Sequence, residues 1–278
     1  MTVLFKRAAE IVLDTIQLTI AGNEPSSALD VAFSIERSLK PDPNTAEIQV
    51  WNLNEDHRSQ LEDAERIPCT VSAGYLDSIA LIFSGTLRTA FTVREGPDLV
   101  TTLASGDGEK EYQRSRVNLS VAPKTPNPSL MQQITKAIGI GEGNLGTATP
   151  QLLAAPAMLP QGGVLSGSAS QIMTRTAQSL GFEWSIQDGA LQLLKVATPL
   201  AATAVLLTPE TGLVGSPSVD NEGILSAQCL MIPDVFPGRL LVLESERLSG
   251  SYRIEKCKYS GNTAGPDWYV DIEAKKLG

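Results

Sequence analysis

Thr15-Ile16-Gln17-Leu18-Thr19-Ile20 alternates polar and apolar side chains at every position. Successive side chains of an extended strand point to opposite faces of a sheet, so this alternation predicts a strand with one buried face. The same period continues at Val31, Phe33 and Ile35 and returns in further short runs. These runs contain Ile48 and Val50, then Cys69, Val71 and Ala73, then Leu81, Phe83 and Leu87, and finally Leu99, Thr101 and Leu103. The pattern is typical of antiparallel strands and predicts a barrel or sandwich in the N-terminal part.

Helix signals replace strand signals beyond Gly108. Only the polar segment from Asn54 to Arg66 predicts an earlier helix, short and at the surface. Asn127 is suited to cap a first helix in the central part, with Pro128 in its first turn and Gly139 at its end. Ser168 and Gln171 have the spacing of a capping box for a second helix, which Gly181 closes.

Residues 141–167 are rich in Gly, Pro and Ala with weak periodicity, and we interpret them as a long loop. After the second helix, apolar alternation on both sides of Asp188-Gly189 predicts a hairpin with a type I′ turn. Strand patterns then dominate to the C-terminus, notably at residues 229–231, 240–243, 252–254 and 268–272. The predicted order is therefore β, then α with a hairpin, then β.

The composition indicates a folded chain with more than one core. The 278 residues are 42% apolar with a mean hydropathy of −0.01, and no apolar run approaches the roughly 20 residues that span a bilayer. Met1 to Ala9 lacks a cleavage pattern and is followed by Glu10 and Asp14, so we expect no signal peptide. Cys69, Cys229 and Cys257 are an odd set at wide spacing, which favours reduced thiols over disulfides.

A net charge of −9 and a pI near 4.8 disfavour stable nucleic-acid binding, which requires clustered Lys and Arg. The same acidity suits a surface past which a polyanion moves without adhering.

No residue pattern supports catalysis, a cofactor or a metal. His57, the only histidine, lies among charged residues with no nucleophile elbow near it, and the scattered cysteines contain no C-x-x-C pair for zinc. Residues 141–146 read G-x-G-x-x-G but follow a predicted helix instead of a strand, so we expect no nucleotide site there.

Paired acids are the remaining enzymatic possibility, since a glycan hydrolase uses two carboxylates. The candidate pairs are Glu109 with Glu111, Glu62 with Glu65, and Glu10 with Asp14. The first two pairs lie in polar runs, the third leads into a strand pattern, and aromatic residues for sugar stacking are sparse, with Trp51, Trp184 and Trp268 far apart. We therefore predict no catalytic, cofactor-binding or metal residues.

Several ordered motifs resemble those of baseplate hub proteins of contractile-tailed bacteriophages. In the N-terminal part these are residues 46–53 (AEIQVWNL), 73–75 (AGY), 82–87 (IFSGTL) and 98–107. In the C-terminal part they are residues 211–217 (TGLVGSP), 222–224 (EGI), 229–233 (CLMIP), 237–241 (PGRLL), 250–254 (GSYRI) and 268–269 (WY). The resemblance covers most of the chain except residues 109–161.

The resemblance implies an α+β, mainly β chain with two tail-tube-like antiparallel β-barrel domains and a small helix-containing domain between them. We expect the first barrel at 1–108, the middle domain with its Gly/Pro-rich loop at 109–198, and the second barrel at 199–278. The family's role implies a homotrimeric ring that joins a hexameric tail tube to a trimeric central spike and lines a channel for DNA. Further implied partners are other baseplate proteins and the tape-measure protein, in a virion tail assembled in the host bacterial cytoplasm.

Two alternatives remain open. One is a cell-wall-degrading tail component, a peptidoglycan hydrolase or a hub fused to one. The other is a tube initiator or adaptor of a non-contractile tail or a contractile secretion system, which would form a hexamer of single barrels.

Overall fold

The computed structural model describes residues 6–21, 29–108 and 114–277. The strands of the N-terminal part are β1 (Arg7–Leu13), β2 (Ile16–Ala21), β3 (Val31–Ser38), β4 (Thr45–Trp51), β5 (Pro68–Tyr75), β6 (Ala80–Glu95) and β7 (Asp98–Gly106). Those of the central part are β8 (Arg116–Val121), β9 (Gly163–Ser168), β10 (Phe182–Gln187) and β11 (Ala190–Lys195). Those of the C-terminal part are β12 (Val205–Leu207), β13 (Leu213–Val219), β14 (Ile224–Leu230), β15 (Leu240–Glu244), β16 (Ser249–Asn262) and β17 (Trp268–Lys276). The described helices are α1 (Glu55–Asp63), α2 (Asn127–Ile138), α3 (Leu145–Ala154) and α4 (Ala169–Ser179).

Strands from both ends of the chain join one 13-stranded sheet. Its path runs β13-β14-β17-β16-β3-β4-β7-β6-β5-β1-β2, and β15 adds to β16 and carries β12. Antiparallel pairing dominates, with β12 parallel to β15. The prediction of a mainly β, antiparallel fold with a helix-containing part between the terminal strands is confirmed. Pairings among the described strands follow an open path, so closure into barrels stays a prediction.

The contacts of the chain divide it into two compact units. One contains the described residues of Met1–Arg37, Asn44–Gly106 and Ala201–Gly278, and the other those of Ser38–Pro43 and Asp107–Leu200. Each unit has its own cluster of buried apolar side chains. The limits of three domains at 1–108, 109–198 and 199–278 stay a prediction.

One five-strand topology occurs twice in the terminal unit. The first repeat pairs its strands in the order β3-β4-β7-β6-β5, and the second repeat pairs them as β13-β14-β17-β16-β15. In both repeats the fifth strand in chain order pairs antiparallel with the second, and the fourth and then the third strand follow beyond the fifth. The fourth strand is the longest in each, and its pairing with the fifth shifts register between Leu87/Thr89 and between Ile254/Lys256.

The predicted alternation of the first repeat is confirmed in its leading strands. Val31, Phe33 and Ile35 are buried in β3, and Ile48 and Val50 are buried in β4. These side chains belong to one apolar core with the buried residues of the second repeat. The sequence also predicts a turn region at residues 22–27; these residues and the side chain of Ile20 lie outside the described residues.

Strand β6 departs from the predicted alternation. Leu81 is 48% exposed, whereas the adjacent Ile82 and Phe83 are both buried. The cause is a register shift in the β5–β6 pairing between Val71 and Ser72, which turns two successive side chains toward the core.

The two predicted central helices exist, but their N-terminal caps differ from the prediction. Pro126 occupies the cap position of α2, and no side-chain cap bond forms at α2 or at α4. The buried Asn127 amide instead donates to the carbonyls of Leu152, Ala155 and Pro156, and its Oδ1 accepts from Met158 N. Long-range hydrogen bonds of the Asn127 side chain have thus replaced the predicted local cap.

The prediction of a long loop at 141–167 is wrong, because this segment contains α3 and β9. Leu145, Ala148 and Leu152 are buried at helical spacing in α3, despite Pro150 within the helix. Strand β9 pairs antiparallel with β8. The abundance of Gly, Pro and Ala concealed a three-residue apolar stripe.

The hairpin predicted around Asp188-Gly189 is confirmed. Strands β10 and β11 pair in register from Phe182–Lys195 to Gln187–Ala190. Asp188 has φ 54 and Gly189 has φ 76, the two positive values that a type I′ turn requires.

Candidate assembly interface

Strands β3 and β16 connect the two repeats, and we call their contacts the joint. Thr263 N donates to Val31 O at 2.9 Å, and Val31 N donates to Thr263 Oγ1 at 2.9 Å. Lys256 Nζ lies 3.1 Å from Glu36 Oε2. Residues 31–36 therefore run alongside residues 256–263 in the opposite direction.

Trp268 fills the centre of the joint. Its ring meets Phe33 edge-to-face at a centroid distance of 5.6 Å, and its buried Nε1 donates to Gly74 O at 3.0 Å. A side chain at Gly261 would start 2.2 Å from the Phe33 ring, so only glycine allows this close approach. Aromatic packing and a buried hydrogen bond thus fix the second repeat against the first.

Arg7 holds the turn between β16 and β17 from the side of β1. Its guanidinium donates to the carbonyls of Asn262 at 3.1 Å, Gly265 at 2.6 Å and Pro266 at 2.8 Å. The same guanidinium lies 5.6 Å from the centroid of the Trp268 ring. A charged donor to three carbonyls makes Arg7 a clamp on this turn.

Among the described residues, part of the fourth strand of the first repeat, β6, has a strand partner on one side only, and we call this its open edge; helix α1 also contacts β6. Its pairing with β5 ends at Thr86 opposite Pro68, and from Thr89 to Glu95 its pairings among the described strands are with β7 alone. Phe91 and Val93 are 51% and 49% exposed on this stretch. The first strand of the second repeat, β13, is also at an edge, since it ends the described path of the sheet.

The solvent face of the second repeat carries charges of both signs in cross-strand pairs. Lys256 lies opposite Glu273, and Lys258 lies opposite Asp271. Gln228 on β14 extends the second row by donating to Asp271 Oδ1 at 2.8 Å. Lys256 and Lys258 on this face are therefore each adjacent to an acid.

The described residues considered for chemistry lie in α1, in the segment that follows it and in the β1–β2 hairpin. His57 lies in the first turn of α1, where its backbone N donates to the capping Asn54 Oδ1 at 2.7 Å. Glu62 and Glu65 are exposed, and Glu109 and Glu111 lie outside the described residues. Glu10 accepts a hydrogen bond from Gln17 on strand β2, and Asp14 lies in the turn between β1 and β2.

The three tryptophans occupy three different structural environments. Trp268 belongs to the joint, Trp51 is half-buried on β4, and Trp184 in the central unit donates to Thr174 Oγ1 at 3.0 Å. Across residues 6–21, 29–108 and 114–277, no three His, Cys, Asp or Glu side chains form a group that could hold a metal ion. Helices within these ranges are too short or too polar to cross a membrane.

The glycine-rich segment 141–146 packs against the β10–β11 hairpin. Gly141 exchanges backbone hydrogen bonds of 2.9 Å with Gly189 O and Leu191 N, and the Asn144 side chain bonds both Leu193 N and Leu193 O. A Cβ at Gly143 would lie 1.8 Å from Leu191 O. The backbone approaches another backbone here, which explains the glycine without a phosphate ligand.

All three cysteines are buried free thiols. Removal from water raises the pKa of Cys69 to about 11 and that of Cys229 to about 12. Burial also raises the pKa of Cys257 well above its usual value. The thiols are therefore protonated near neutral pH.

Sequence patterns indicated only part of this interface. Trp268 belonged to a family-like motif, and Phe33 to a strand alternation, but nothing distinguished Arg7 or Gly261. Their partners are more than 200 positions away in the chain, so no local periodicity reports them. The resemblance implied two similar barrels, but the residue patterns themselves did not indicate that one strand topology recurs.

The fold is that of phage tail proteins. The chain superposes on the 43 kDa tail protein of prophage MuSo2 from Shewanella oneidensis with a TM-score of 0.64 at 10% identity, covering 98% of this chain and 97% of that one. The tail protein of Neisseria meningitidis MC58 gives 0.63 at 10% identity, with the same coverage of 98% and 97%. The E. coli c3393 protein gives 0.57 at 11% identity, covering 96% and 77%, and is described as a type VI secretion component similar to T4 tail proteins gp27 and gp5.

The family model described as Baseplate hub gp41 matches residues 15–274. The chain belongs to this baseplate hub family. A search of the curated proteins finds no match.

The joint predicts unequal effects of two conservative tryptophan substitutions. Trp268→Phe removes the donor to the buried Gly74 carbonyl, so we expect the free energy of unfolding to fall by about 1–3 kcal/mol. Trp51→Phe, at a half-buried position outside the joint, is the matched control and should cost clearly less. Urea denaturation of both variants measures the difference, and equal losses would contradict the role of the joint.

The hairpin contact predicts unequal effects of two glycine substitutions within one motif. Gly143→Ala forces a methyl group into Leu191 O and should destabilise the central unit by about 1–3 kcal/mol. Gly146→Ala meets open space at the start of α3 and should change stability by less than about 1 kcal/mol. Thermal unfolding followed by circular dichroism compares them.

Thiol burial predicts slow chemical labelling. Because the thiolate is the reactive form, Cys69, Cys229 and Cys257 should resist a disulfide reagent at pH 8 and react fully after unfolding in guanidinium. Rapid labelling of any cysteine in the native protein would show that the core opens at that residue.

Proposed function

We propose that this chain is the structural baseplate hub of a contractile phage tail. Three copies would form a ring that joins the hexameric tail tube to the trimeric central spike. The observation that carries this proposal is the five-strand topology that occurs twice in one chain. Three chains would present six such units to a sixfold tube, while the chain itself keeps the threefold symmetry of a spike.

Family membership supports the partners and the location that we propose for this ring. A baseplate hub contacts the tail tube protein, the central spike protein, other baseplate proteins and the tape-measure protein. The site of action would be the tail baseplate of the virion, after assembly in the host bacterial cytoplasm. The similarity of c3393 to gp27 and gp5 concerns that protein, and it is consistent with a hub beside a spike.

Charge supports a passive channel for DNA. The chain carries a net charge of −9, so a ring of three would repel a polyanion from its walls. On the solvent face of the second repeat, Lys256 and Lys258 each lie opposite an acid. Because neighbouring acids neutralise these two lysines, the lysines form no basic cluster that would bind the phosphates of passing DNA.

The proposal includes no enzymatic activity. Acid catalysis on glycans needs two carboxylates held about 5–10 Å apart with different protonation states. The candidate acids that the structure describes lie in a β-hairpin and a polar surface segment, and the family is described as a hub. A tube initiator that forms a hexamer of single barrels would need one such topology in each chain, and this chain has two.

The stoichiometry of the purified chain tests the proposal. Analytical ultracentrifugation should give a species of three times the 29.6 kDa chain mass. Cryo-microscopy of that species should show six similar β units around one channel. A hexamer of chains would instead favour the tube initiator, and release of soluble muropeptides from peptidoglycan would favour the hydrolase.

A further inference from the structure

We infer that strand β9 of the central unit accepts an extended segment of another protein, which adds to the β8–β9 sheet as a third strand. The segment would be apolar at its centre and acidic at both ends. It would lie along the side of β9 that faces away from β8, which we call the β9 edge. This surface lies outside both five-strand repeats and does not depend on the proposed ring.

The hydrogen-bond pattern of β9 identifies the backbone groups that remain for a partner. Ala169 N donates to Ser115 O at 3.0 Å, and this pair continues the register of the β8–β9 pairing. Hydrogen-bonded and non-bonded pairs alternate along an antiparallel ladder, so every second residue of β9 points its N–H and C=O groups away from β8. Val164 and Ser166 are two of these residues, and no described residue bonds their outward groups.

Strand β9 lacks the features that protect an exposed strand edge from pairing. Its sequence GVLSGS, over Gly163–Ser168, contains no charged residue and no proline. By contrast, the exposed side of β11 in the same unit is covered by the backbone of Gly141 and the side chain of Asn144. The described residues of the central unit therefore cover the edge of β11 and leave the β9 edge uncovered.

Apolar side chains flank the β9 edge on both faces of the sheet. Val164 is 67% exposed, the highest value among the large apolar side chains that the structure describes. On the opposite face, Leu165 is half-buried against the core of the central unit, and a Cβ at Gly163 would lie 3.8 Å from Leu159 Cδ2. Because the side chains of a strand alternate between faces, an added strand would cover Val164 with one face and Leu165 with the other. The occupant is therefore expected to be apolar at its centre.

The segments that build this sheet and its helices carry basic charge only. Residues 114–136 contain four basic residues and no acid, and residues 143–182 contain one charged residue, Arg175. This local charge is opposite in sign to the net charge of −9 of the whole chain. Charge complementarity therefore favours an acidic partner at this sheet.

A basic residue is present near each end of the β9 edge. Arg116 is exposed and lies opposite Ser168, the last residue of β9. Lys124 is also exposed, and its backbone N donates to Pro160 O at 3.2 Å, just before β9 begins. An added strand would lie two strand spacings, about 10 Å, from β8, so acids at its ends would come within about a Debye length of these cations. Acids at both ends would suit either strand direction.

An extended peptide fits the β9 edge better than a nucleic acid does. Strand addition supplies main-chain hydrogen bonds to the outward N–H and C=O groups, and the apolar neighbours receive alternate side chains. A nucleic acid would leave Val164 uncovered and would need clustered cations, whereas this edge has one cation near each end.

Binding of a synthetic peptide to the full chain tests this inference. The probe is a fluorescein-labelled peptide with Val-Thr-Val-Thr at its centre and a pair of aspartates at each end. A second peptide with lysines in place of the aspartates is the charge control. Fluorescence anisotropy should show the lysine peptide binding at least about tenfold more weakly. The aspartate peptide should also slow the amide hydrogen exchange of Val164 and Ser166.

Proline substitutions on the two opposite edges of the sheet form a matched pair. Ser166→Pro removes an outward N–H from the β9 edge, and a proline is tolerated where the N–H of an edge strand faces solvent. Asn118 lies directly opposite Ser166 and is exposed, so Asn118→Pro makes the same change on the far edge of β8. Ser166→Pro should weaken binding of the aspartate peptide at least about tenfold, and Asn118→Pro by less than about twofold.

Charge reversal decides the question if Ser166→Pro does not fold. Arg116→Glu/Lys124→Glu leaves the backbone of β9 unchanged and should reverse the preference in favour of the lysine peptide. Lys136→Glu/Arg175→Glu, at exposed positions on α2 and α4, is the matched control and should keep the preference for the aspartate peptide.

The possible results support or overturn the β9 edge as a site for a partner strand. Selective loss in Ser166→Pro, or a reversed preference in the Arg116/Lys124 variant alone, supports it. Absence of binding at about 1 mM peptide, equal losses in the two proline variants, or an equal change in the two charge variants overturns it. Displacement of the peptide by single-stranded DNA would indicate a general anion site and overturn strand addition. A change of oligomeric state in Ser166→Pro alone would assign the edge to a second copy of this chain and overturn a foreign partner.

Discussion

The joint between β3 and β16 is the contact on which the terminal unit depends. Two strand systems from opposite ends of the chain become one sheet because Val31 and Thr263 exchange hydrogen bonds and Trp268 packs on Phe33 while bonding Gly74 O. The packing requires the bare backbone of Gly261, and Arg7 holds the adjacent turn through three carbonyls. A single apolar core then forms beneath both repeats. The solvent face, the open edges and the proposed ring all take their positions from this contact.

The sequence predicted the elements of this fold better than their connections. Period-two alternation located β3 and β4, and Asp188-Gly189 located the central hairpin, because each pattern acts within a few residues. The joint could not be predicted in that way, since Arg7 and Gly265 are 258 positions apart. Local rules also failed where a distant partner competed with them, as at Asn127, whose amide serves three carbonyls near the end of α3 instead of capping its own helix. The loop predicted at 141–167 failed because Pro150 and several glycines outweighed the buried stripe of Leu145, Ala148 and Leu152.

The role of the candidate site, like the fold, could be predicted from the sequence only in part. The absence of any pattern around His57 and the acids led to the prediction of a structural role, and family membership agrees with that class of protein. The glycine motif at 141–146 shows why context matters: its glycines allow two backbones to approach, as the position of Leu191 O beside Gly143 requires. Assembly surfaces are harder to predict than catalytic sites, because they consist of ordinary strands whose only distinction is an unoccupied edge.

The separation of the joint's two sides along the chain has a consequence for biosynthesis. Strand β3 leaves the ribosome more than 200 residues ahead of β16 and Trp268. Contacts of such high sequence separation form slowly, since the loop between them must close first. The nascent first repeat therefore waits with an uncovered strand edge, the kind of surface that promotes misassembly and that chaperones protect. An uncovered strand edge would make the nascent chain most vulnerable to aggregation during this interval.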